Sequence, residues 1–273
     1  MTKYAYLTKE ILQNDYNQLG SLSAIGKKYG IPTGSIKSRA HMLKIKMHAS
    51  GGRCKYFINE NIFQSDSENS FYVAGFCGAD GNITYHAYGT KALIIGLARQ
   101  DQDHLVKIKN AIDFTGPICD YEYFNADHKI CYSSYLKIYC SKKIIADIET
   151  NFNIVPRKTF TYTFPINIVN HELVRDFIRG YFDGDGCFYF SERDNSVSFE
   201  LLGTQSFLET VKLILDRDCN FTSTVHVLPI KNIFRLRYAG KKEVFKIVNY
   251  LYAGSTIYLD RKFDKIKHLI TTG

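Results

Sequence analysis

Two short segments of the sequence, a domain length apart, each end in an aspartate followed by a glycine. Residues 73–81 are Val-Ala-Gly-Phe-Cys-Gly-Ala-Asp-Gly, and residues 178–186 are Ile-Arg-Gly-Tyr-Phe-Asp-Gly-Asp-Gly. The two terminal aspartates are Asp80 and Asp185. Two carboxylates at short range cannot both stay ionised at low cost unless a cation lies between them, and hard divalent cations take oxygen ligands. The pair therefore predicts a divalent metal site with one ligand from each segment.

Each segment is typical of a helix that ends at the aspartate and leads directly into an aromatic strand. Glycine inside a helix costs about 1 kcal/mol relative to alanine, so it needs a packing reason. Gly75 and Ala79 are four residues apart, as are Gly180 and Gly184, and each pair lies on one helical face. We expect the two helices to pack backbone to backbone, with Gly75 and Gly180 at the crossing. Two ordinary glycine-rich helix ends with solvated aspartates are the alternative, which leaves the repetition unexplained.

The pattern after each aspartate is also repeated. Apolar and polar residues alternate with period two, as in a half-buried antiparallel strand. A second strand, an amphipathic helix, two more strands and a final helix follow. These predicted elements are 91–99, 101–112, 117–124 and 131–140 in the first repeat and 197–204, 205–215, 222–229 and 233–239 in the second. The order helix, two strands, helix, two strands, helix thus occurs twice.

With these two motif copies, residues 68–270 resemble the single-chain LAGLIDADG homing endonucleases. The resemblance implies an α+β fold of two pseudo-symmetric αββαββα subdomains, 70–165 and 166–273, whose antiparallel sheets form a saddle. It also implies a monomeric product of a mobile genetic element that binds double-stranded DNA at a specific site. Such a protein would cut both strands across the minor groove and leave short 3′ overhangs.

The resemblance also implies a ligand set around the two aspartates. Asp80 and Asp185, with the carbonyl groups of Ala79 and Gly184, would hold two or three Mg²⁺ ions, for which Mn²⁺ can substitute. The ions would activate water against each scissile phosphate and stabilise the charge on the attacking and leaving oxygens. Asp183 has only Gly78 as its counterpart in the first repeat, so we interpret it as a supporting residue.

A basic side chain that stabilises the transition state is expected as well. Lys142 and Lys241 are the candidates, because each lies at the turn from the fourth strand to the last helix of its repeat. The same role could belong to a polar residue close to the corresponding turns, and these alternatives are Lys143, Lys242, Gln100 and Gln205.

The polar faces of the strands are the DNA-recognition surface that the resemblance implies. Arginine, lysine and tyrosine suit base edges and phosphates, and arginine suits guanine best. The candidates are Thr84, His86, Tyr88, Arg99, Ser133, Tyr135, Lys137 and Tyr139 in the first repeat and Tyr189, Ser191, Arg193, Arg235 and Arg237 in the second. Individually, each could also be an ordinary exposed strand residue.

Residues 1–50 form a separate basic segment, joined to the first repeat by a linker over 51–69. Eight lysines and arginines stand there against two acidic residues, while the whole chain has a net charge of +8. Positive charge at this density favours phosphate binding. Three helices are predicted over 8–19, 21–29 and 33–43, with Thr33 or Ser35 capping the third.

These three helices resemble a helix-turn-helix DNA-binding domain. Gly30 lies at the expected turn, and Gly26 stands where the motif usually has alanine. Lys37 and Arg39 on the third helix would then contact DNA. A three-helix module that binds another protein is the alternative.

Several other classes are disfavoured. No run of 18 apolar residues exists and the first residues are unlike a signal peptide. The seven cysteines include no Cys-x-x-Cys pair, which favours a reducing intracellular compartment and disfavours zinc. A DNA- or RNA-binding protein without cleavage, such as an intron maturase or a regulator, remains the main alternative. An intein is disfavoured because no splicing blocks flank the repeats, and a transcription factor that used only the first helices would not need paired aspartates.

Overall fold

The computed structural model describes residues 4–45, 47, 56–85, 90–139, 141–191, 193, 196–222 and 225–270. Within these ranges the helices are α1 Lys9–Leu19, α2 Leu22–Tyr29, α3 Thr33–Met42, α4 Glu68–Ala79, α5 Gln102–Ala111, α6 Lys142–Phe152, α7 Val174–Asp185, α8 Gln205–Asp218, α9 Lys241–Tyr252 and α10 Asp260–Ile270. The strands are β1 Gly81–Tyr85, β2 Lys91–Ala98, β3 Ile118–Phe124, β4 Ile130–Tyr139, β5 Gly186–Ser191, β6 Ser196–Gly203, β7 Val227–Ile230 and β8 Ile233–Ala239. No helix among the described residues is both long and apolar enough to cross a membrane.

The strands form two antiparallel four-stranded sheets with the same topology. The first has the order β1-β2-β4-β3 and the second the order β5-β6-β8-β7. The glycine after each motif aspartate occupies the same register position, since Gly81 is opposite Ile95 and Gly186 is opposite Leu201. The predicted repeat of helices and strands is therefore confirmed as two equivalent αββαββα units.

One face of each sheet packs into a common core. Ile83, Leu93 and Leu136 are buried in the first sheet, and Phe199 and Leu236 are buried in the second. Their neighbours along each strand point to the opposite face, because side chains alternate with period two. A single hydrophobic cluster contains buried residues of both halves, so the cores of the two halves are continuous.

The centre of this core is the pair formed by α4 and α7. Every α4 residue from Ser70 to Gly78 is buried, as expected of a helix that is packed on all sides. The side chain of Ser67 caps α4 by accepting a hydrogen bond from the Ser70 backbone N–H at 3.2 Å. The helix continues without interruption to the motif aspartate, which places Asp80 at its C-cap.

The first three helices enclose a second, smaller core. Leu12, Ile25 and Ile36 are fully buried in it. Thr8 and Ser21 cap α1 and α2 with their side chains, and Gly30 ends α2 in the left-handed conformation, with a φ of 65°. This conformation is one that glycine adopts at no steric cost.

Two details of this unit differ from simple expectation. A Cβ at position 26 would lie 2.7 Å from the Ile31 carbonyl oxygen, which explains glycine where alanine is usual. The prediction that Thr33 or Ser35 caps α3 is wrong. Pro32 occupies the N-cap position without a side-chain hydrogen bond, because the fixed φ of proline suits entry into a helix.

Two other elements also differ from those predicted from the sequence. Helix α10 lies beyond the last predicted helix, and β2 ends at Ala98, with Arg99 beginning a short 3₁₀ turn through Asp101. Both differences bear on the site described next, because α10 supplies one of its lysines and the turn removes Arg99 from the strand.

Candidate active site

The two motif helices cross with almost no side chain between them. A Cβ on Gly75 would overlap the Phe177 carbonyl oxygen, and a Cβ on Gly180 would overlap the Tyr72 carbonyl oxygen. The obstructing atoms are backbone, so no side-chain rotation could relieve either clash. The two contacts are equivalent under the pseudo-twofold symmetry, and they confirm the predicted close crossing of the glycine faces.

The crossing brings the two motif aspartates together at the C-terminal ends of the helices. A Cβ on Gly184 would meet the Ala79 side chain and would lie 3.1 Å from Asp80 Oδ2. The chain then turns sharply into β1 and β5. A Cβ on Gly81 would lie 2.6 Å from the Cys77 carbonyl oxygen, so the turn after Asp80 has no room for a side chain.

The paired carboxylates have altered acidities. Burial and the nearby charge of Asp185 raise the pKa of Asp80 to about 6, against the opposing effect of nearby lysines. Burial also raises the pKa of Asp185. Asp185 is exposed to solvent at the C-terminal end of α7. Two destabilised carboxylates that open to solvent are typical of a functional site rather than of a structural ion pair.

Two buried lysines flank the aspartates in equivalent ways. Lys158 Nζ donates to the Ala79 carbonyl oxygen at 3.2 Å, and Lys262 Nζ donates to the Gly184 carbonyl oxygen at 3.0 Å. Each lysine thus contacts the residue immediately before a motif aspartate. Burial lowers the pKa of Lys262 to about 8 and also lowers the pKa of Lys158.

The donor set at this position fits a divalent cation. Among the described residues no three His, Cys, Asp or Glu side chains come together as a complete metal site. Mg²⁺, however, is commonly held by one or two carboxylates together with substrate phosphates. Asp80 and Asp185 provide the carboxylates, and a bound cation would relieve the repulsion that raises the pKa of Asp80.

Asp183 is excluded from the ligand set by its position. It is 1% exposed and accepts three hydrogen bonds, from Tyr72 Oη and Tyr252 Oη at 2.6 Å each and from the Leu259 N–H at 2.8 Å. The carboxylate therefore ties both halves to the segment that leads into α10. This position agrees with the supporting role inferred from the sequence.

A second buried group anchors the same segment. Arg179 is fully buried and donates to the Asp176 and Glu68 carboxylates at 2.6 Å, and to the carbonyl oxygens of Leu251 and Ile257 at 2.9 and 3.1 Å. Arg179 and Asp183 hold the chain on both sides of residue 258, and Lys262 follows within one turn of α10.

The overall arrangement can be compared with known structures. No family model and no curated protein matches the chain. The homing endonuclease I-WcaI bound to its DNA recognition sequence superposes with a TM-score of 0.55 at 12% identity, over 73% of this chain and 85% of that one. The chain has the two-repeat LAGLIDADG homing-endonuclease fold. This confirms the fold class expected from the two motifs.

Two further structures align over similar lengths. The I-LtrWI LAGLIDADG homing endonuclease bound to target DNA has a TM-score of 0.47 at 12% identity, over 75% of this chain and 90% of that chain. The I-SmaMI LAGLIDADG homing endonuclease bound to cleaved DNA has a TM-score of 0.48 at 9% identity, over 74% and 87%.

Within this fold, each sheet has an outward surface, which we define as the strand face opposite the core. Strand pairing places Thr84, Ser133, Tyr135, Lys137 and Tyr139 on the outward surface of the first sheet. Lys137 Nζ donates to Tyr121 Oη at 2.7 Å and lies 4.2 Å from the centre of that ring.

Arg99 is not brought to the outward surface. Its guanidinium lies 3.5 Å from Asp120 Oδ2 and packs over the Tyr132 ring, and both partners belong to the other face of their strands. His86 and Tyr88 lie outside the described residues.

On the second sheet, Tyr189, Ser191, Arg235 and Arg237 share the outward surface. Arg193 lies in the turn after β5. The two arginines flank Glu200, which also faces outward from β6. No pattern in the sequence singles out this acidic residue, because a lone glutamate in an alternating strand belongs to no motif.

In the described part of the chain, the lysines predicted to assist catalysis do not contact the helix ends that carry the aspartates. Lys142 and Lys241 are exposed first residues of α6 and α9, whereas the lysines that touch the aspartate-bearing helix ends are Lys158 and Lys262. A signal for the latter pair exists in the sequence, since each lysine follows an arginine and lies beyond the last predicted helix of its repeat. We missed it because the predicted helices end before both residues, and α10, which contains Lys262, was not predicted.

The two N-terminal candidates occupy different environments. Lys37 is exposed on α3. Arg39 is half-buried and donates to the carbonyl oxygens of Leu7 and Ala5 at 3.1 and 3.2 Å. Its guanidinium therefore ties α3 to the chain before α1.

Proposed function

We propose that this chain is a site-specific DNA endonuclease that makes double-strand breaks with the help of Mg²⁺. The single observation that carries the proposal is the site at the ends of the crossing helices, where burial and the charge of Asp185 raise the pKa of Asp80 and where Lys158 and Lys262 contact the equivalent carbonyl groups of Ala79 and Gly184. Two equivalent halves of one site suit a substrate with two antiparallel strands, because each strand can present its phosphate to one half. The homing endonuclease I-WcaI, which has this fold and is bound to its DNA recognition sequence, supports DNA as the partner.

The chain's own residues would divide the work at each scissile phosphate. Asp80 and Asp185 would hold the cations, and the carbonyl oxygens of Ala79 and Gly184, which accept hydrogen bonds from Lys158 and Lys262, would lie beside them. Bound divalent ions would activate water and neutralise charge on the phosphate oxygens. Lys158 and Lys262 would stabilise the additional negative charge of the transition state, because preorganised positive groups act strongly in a site with little water.

The test is cleavage of a randomised library of DNA duplexes by the full chain, with the ends of cut molecules sequenced. In Mg²⁺ we expect the cut duplexes to share one defined sequence and to be cut in both strands. The sequenced ends then give the length and polarity of the overhang. Mn²⁺ should substitute, and a chelator should abolish cutting. Ca²⁺, which accepts looser oxygen geometry than Mg²⁺, should support binding without efficient cutting.

Matched variants separate chemistry from binding. Asp80→Asn and Asp185→Asn should each abolish double-strand cleavage and largely keep DNA affinity, because phosphate contacts elsewhere supply binding. Lys158→Met and Lys262→Met should slow cleavage far more than Lys142→Met and Lys241→Met. Asp264→Asn, a change of the same kind at an exposed position of α10, is the control and should cut normally.

Two outcomes would contradict the proposal. Specific DNA binding with no cut in any divalent metal would indicate a binding protein, such as a maturase or regulator. Undiminished cleavage by Asp80→Asn or Asp185→Asn would place the chemistry somewhere else in the chain.

A further inference from the structure

Glu200 is an acidic residue on a surface where the proposed partner is a polyanion. It lies on β6 directly opposite Arg237 of β8. Its Oε1 is 3.1 Å from Arg237 Nε, and its Oε2 is 3.5 Å from Arg235 Nη1. Ser198 Oγ donates to the same carboxylate at 3.4 Å. One carboxylate thus contacts two arginines at the centre of the outward surface of the second sheet.

Neither stability nor simple phosphate attraction accounts for this arrangement. Partly exposed ion pairs contribute little to folding, and a carboxylate on this surface repels the DNA backbone. In addition, Arg235 Nε is buried and has no hydrogen-bond acceptor among the described residues. An ion pair selected only for folding would not leave a buried donor unpaired, because an unpaired buried donor destabilises the folded state.

The arrangement belongs to the second half alone. In the first sheet, the position opposite Lys137 is the apolar Ile94, and Lys137 contacts Tyr121 in place of an acid. The two outward surfaces therefore offer different chemistry at equivalent places, as recognition of two different half-sites would require.

The arginines keep donors for a ligand. A guanidinium has five N–H groups, so the Glu200 carboxylate cannot occupy all the donors of Arg235 and Arg237. Both arginines, with His226 and Leu228, line an open groove of about 420 Å³. Guanine presents two acceptors in the major groove, and paired arginine donors match them.

We propose that Glu200 is a specificity-determining residue. It holds Arg235 and Arg237 in a fixed arrangement, so that their remaining N–H groups recognise guanine in the half of the target under the second sheet. Its negative charge also weakens binding to every other sequence. The inference depends on the DNA binding in the proposed function and is independent of cleavage.

The experiment compares the full chain with its Glu200→Gln variant. Duplexes bound in Ca²⁺ are selected from a randomised library, and affinities are measured for the selected target and for a duplex of random sequence. We expect Glu200→Gln to bind random duplex about threefold more tightly or better, because one repulsive charge is gone. Its preference for target over random should fall about tenfold, and the loss should lie at guanine positions of one half-site.

Two further variants make the result specific. Glu209→Gln removes the same charge from α8, where Glu209 accepts a hydrogen bond from Gln205, and it should leave affinity and preference unchanged. Arg237→Lys keeps the positive charge but removes the planar pair of donors. It should lose preference at the same guanine positions, because a lysine ammonium cannot make the paired contact.

The outcomes are distinguishable. If the wild type selects a target and Glu200→Gln selects it with the same preference, the inference is overturned and the proposed function stands. If Arg237→Lys shifts the preference while Glu200→Gln does not, Glu200 has no role in recognition. If the wild type selects no sequence, the proposed function fails, and the inference fails with it.

Discussion

At the scale of single residues, the ionised carboxylate of a motif aspartate lowers the stability of the folded chain. The pKa of Asp80 is about 6 in the folded chain, above its ordinary value near 3.9. The folded state therefore binds the proton more tightly than the unfolded state. Stability contributed by this group is present at acidic pH and is lost as the pH rises through about 6.

We therefore expect Asp80→Asn to stabilise the chain when no metal is bound. At about pH 8 with a chelator, the free energy of unfolding should rise by about 1–3 kcal/mol, and the gain should shrink towards pH 4. Urea titrations at both pH values measure the difference. Asp264→Asn is the control, and an equal gain there or a gain independent of pH would contradict the explanation.

His104 gives the opposite pH dependence. Its Nε2 lies 3.0 Å from Tyr72 Oη, whose hydrogen is donated to Asp183. His104 Nε2 must then be the donor, so the proton of the neutral ring is on Nε2. Nδ1 is buried without a partner among the described residues, and a second proton there would have no acceptor. Burial accordingly lowers the pKa of His104 to about 4.

His104 should lower the stability of the folded chain as the pH falls. The unfolded chain takes up the proton near pH 6.5 and the folded chain only near pH 4, so stability falls as the pH drops between these values. His104→Gln can still donate to Tyr72 but does not titrate. Between pH 7.5 and pH 5, we expect it to lose less stability than the wild type by on the order of 2 kcal/mol. Equal losses of stability in the wild type and in His104→Gln, measured by urea unfolding, would rule out this role of His104.

At the scale of elements, the fold depends on the close crossing of α4 and α7. Gly75→Ala and Gly180→Ala should each destabilise the chain by about 1–3 kcal/mol or more, because the added methyl group meets backbone and forces the helices apart. Differential scanning calorimetry measures the loss in the main transition.

Gly34 provides the matched control for this prediction. It lies exposed in α3, and a Cβ there would meet nothing within 4 Å. Gly34→Ala should therefore be neutral or stabilise its own unit by up to about 1 kcal/mol. Similar melting temperatures for Gly75→Ala and the wild type would mean that the helices do not cross as described.

At the scale of the whole molecule, the charge is unevenly distributed. Residues 1–50 carry most of the net positive charge, and the paired aspartates lie far along the chain from them. If the first three helices bind DNA, removing residues 1–50 should lower affinity and shorten the protected DNA at one end. The dependence of binding on salt should also become shallower, by about 0.9 in slope for each phosphate that is no longer neutralised. Cleavage at saturating protein should persist.

Single substitutions refine this prediction. Lys37→Ala should weaken DNA binding without loss of stability, because Lys37 is exposed. Arg39→Ala should instead destabilise the unit, since the Arg39 guanidinium holds the chain before α1. Footprinting and salt titration of the truncated chain provide the decisive comparison. An unchanged footprint, affinity and salt slope would indicate that these helices bind another protein.

The local patterns of the sequence were sufficient to predict the repeated architecture. Helices and strands follow from periodicities of 3.6 and two residues, which are visible within a few turns of chain. The glycines at positions 75 and 180 revealed the close crossing, because glycine in a helix has a measurable cost unless it allows such an approach. The positions of Asp80 and Asp185 at the ends of these helices followed from the same pattern.

The tertiary structure alone decided which other groups meet these aspartates. Lys158 lies in a short 3₁₀ turn and Lys262 near the start of α10, and Lys262 reaches the site because Arg179 and Asp183 fix the chain just before that helix. The pairing of Glu200 with two arginines likewise depends on strand register. Such interactions join residues far apart in sequence, and their geometry arises from packing of the whole core, which no local periodicity encodes.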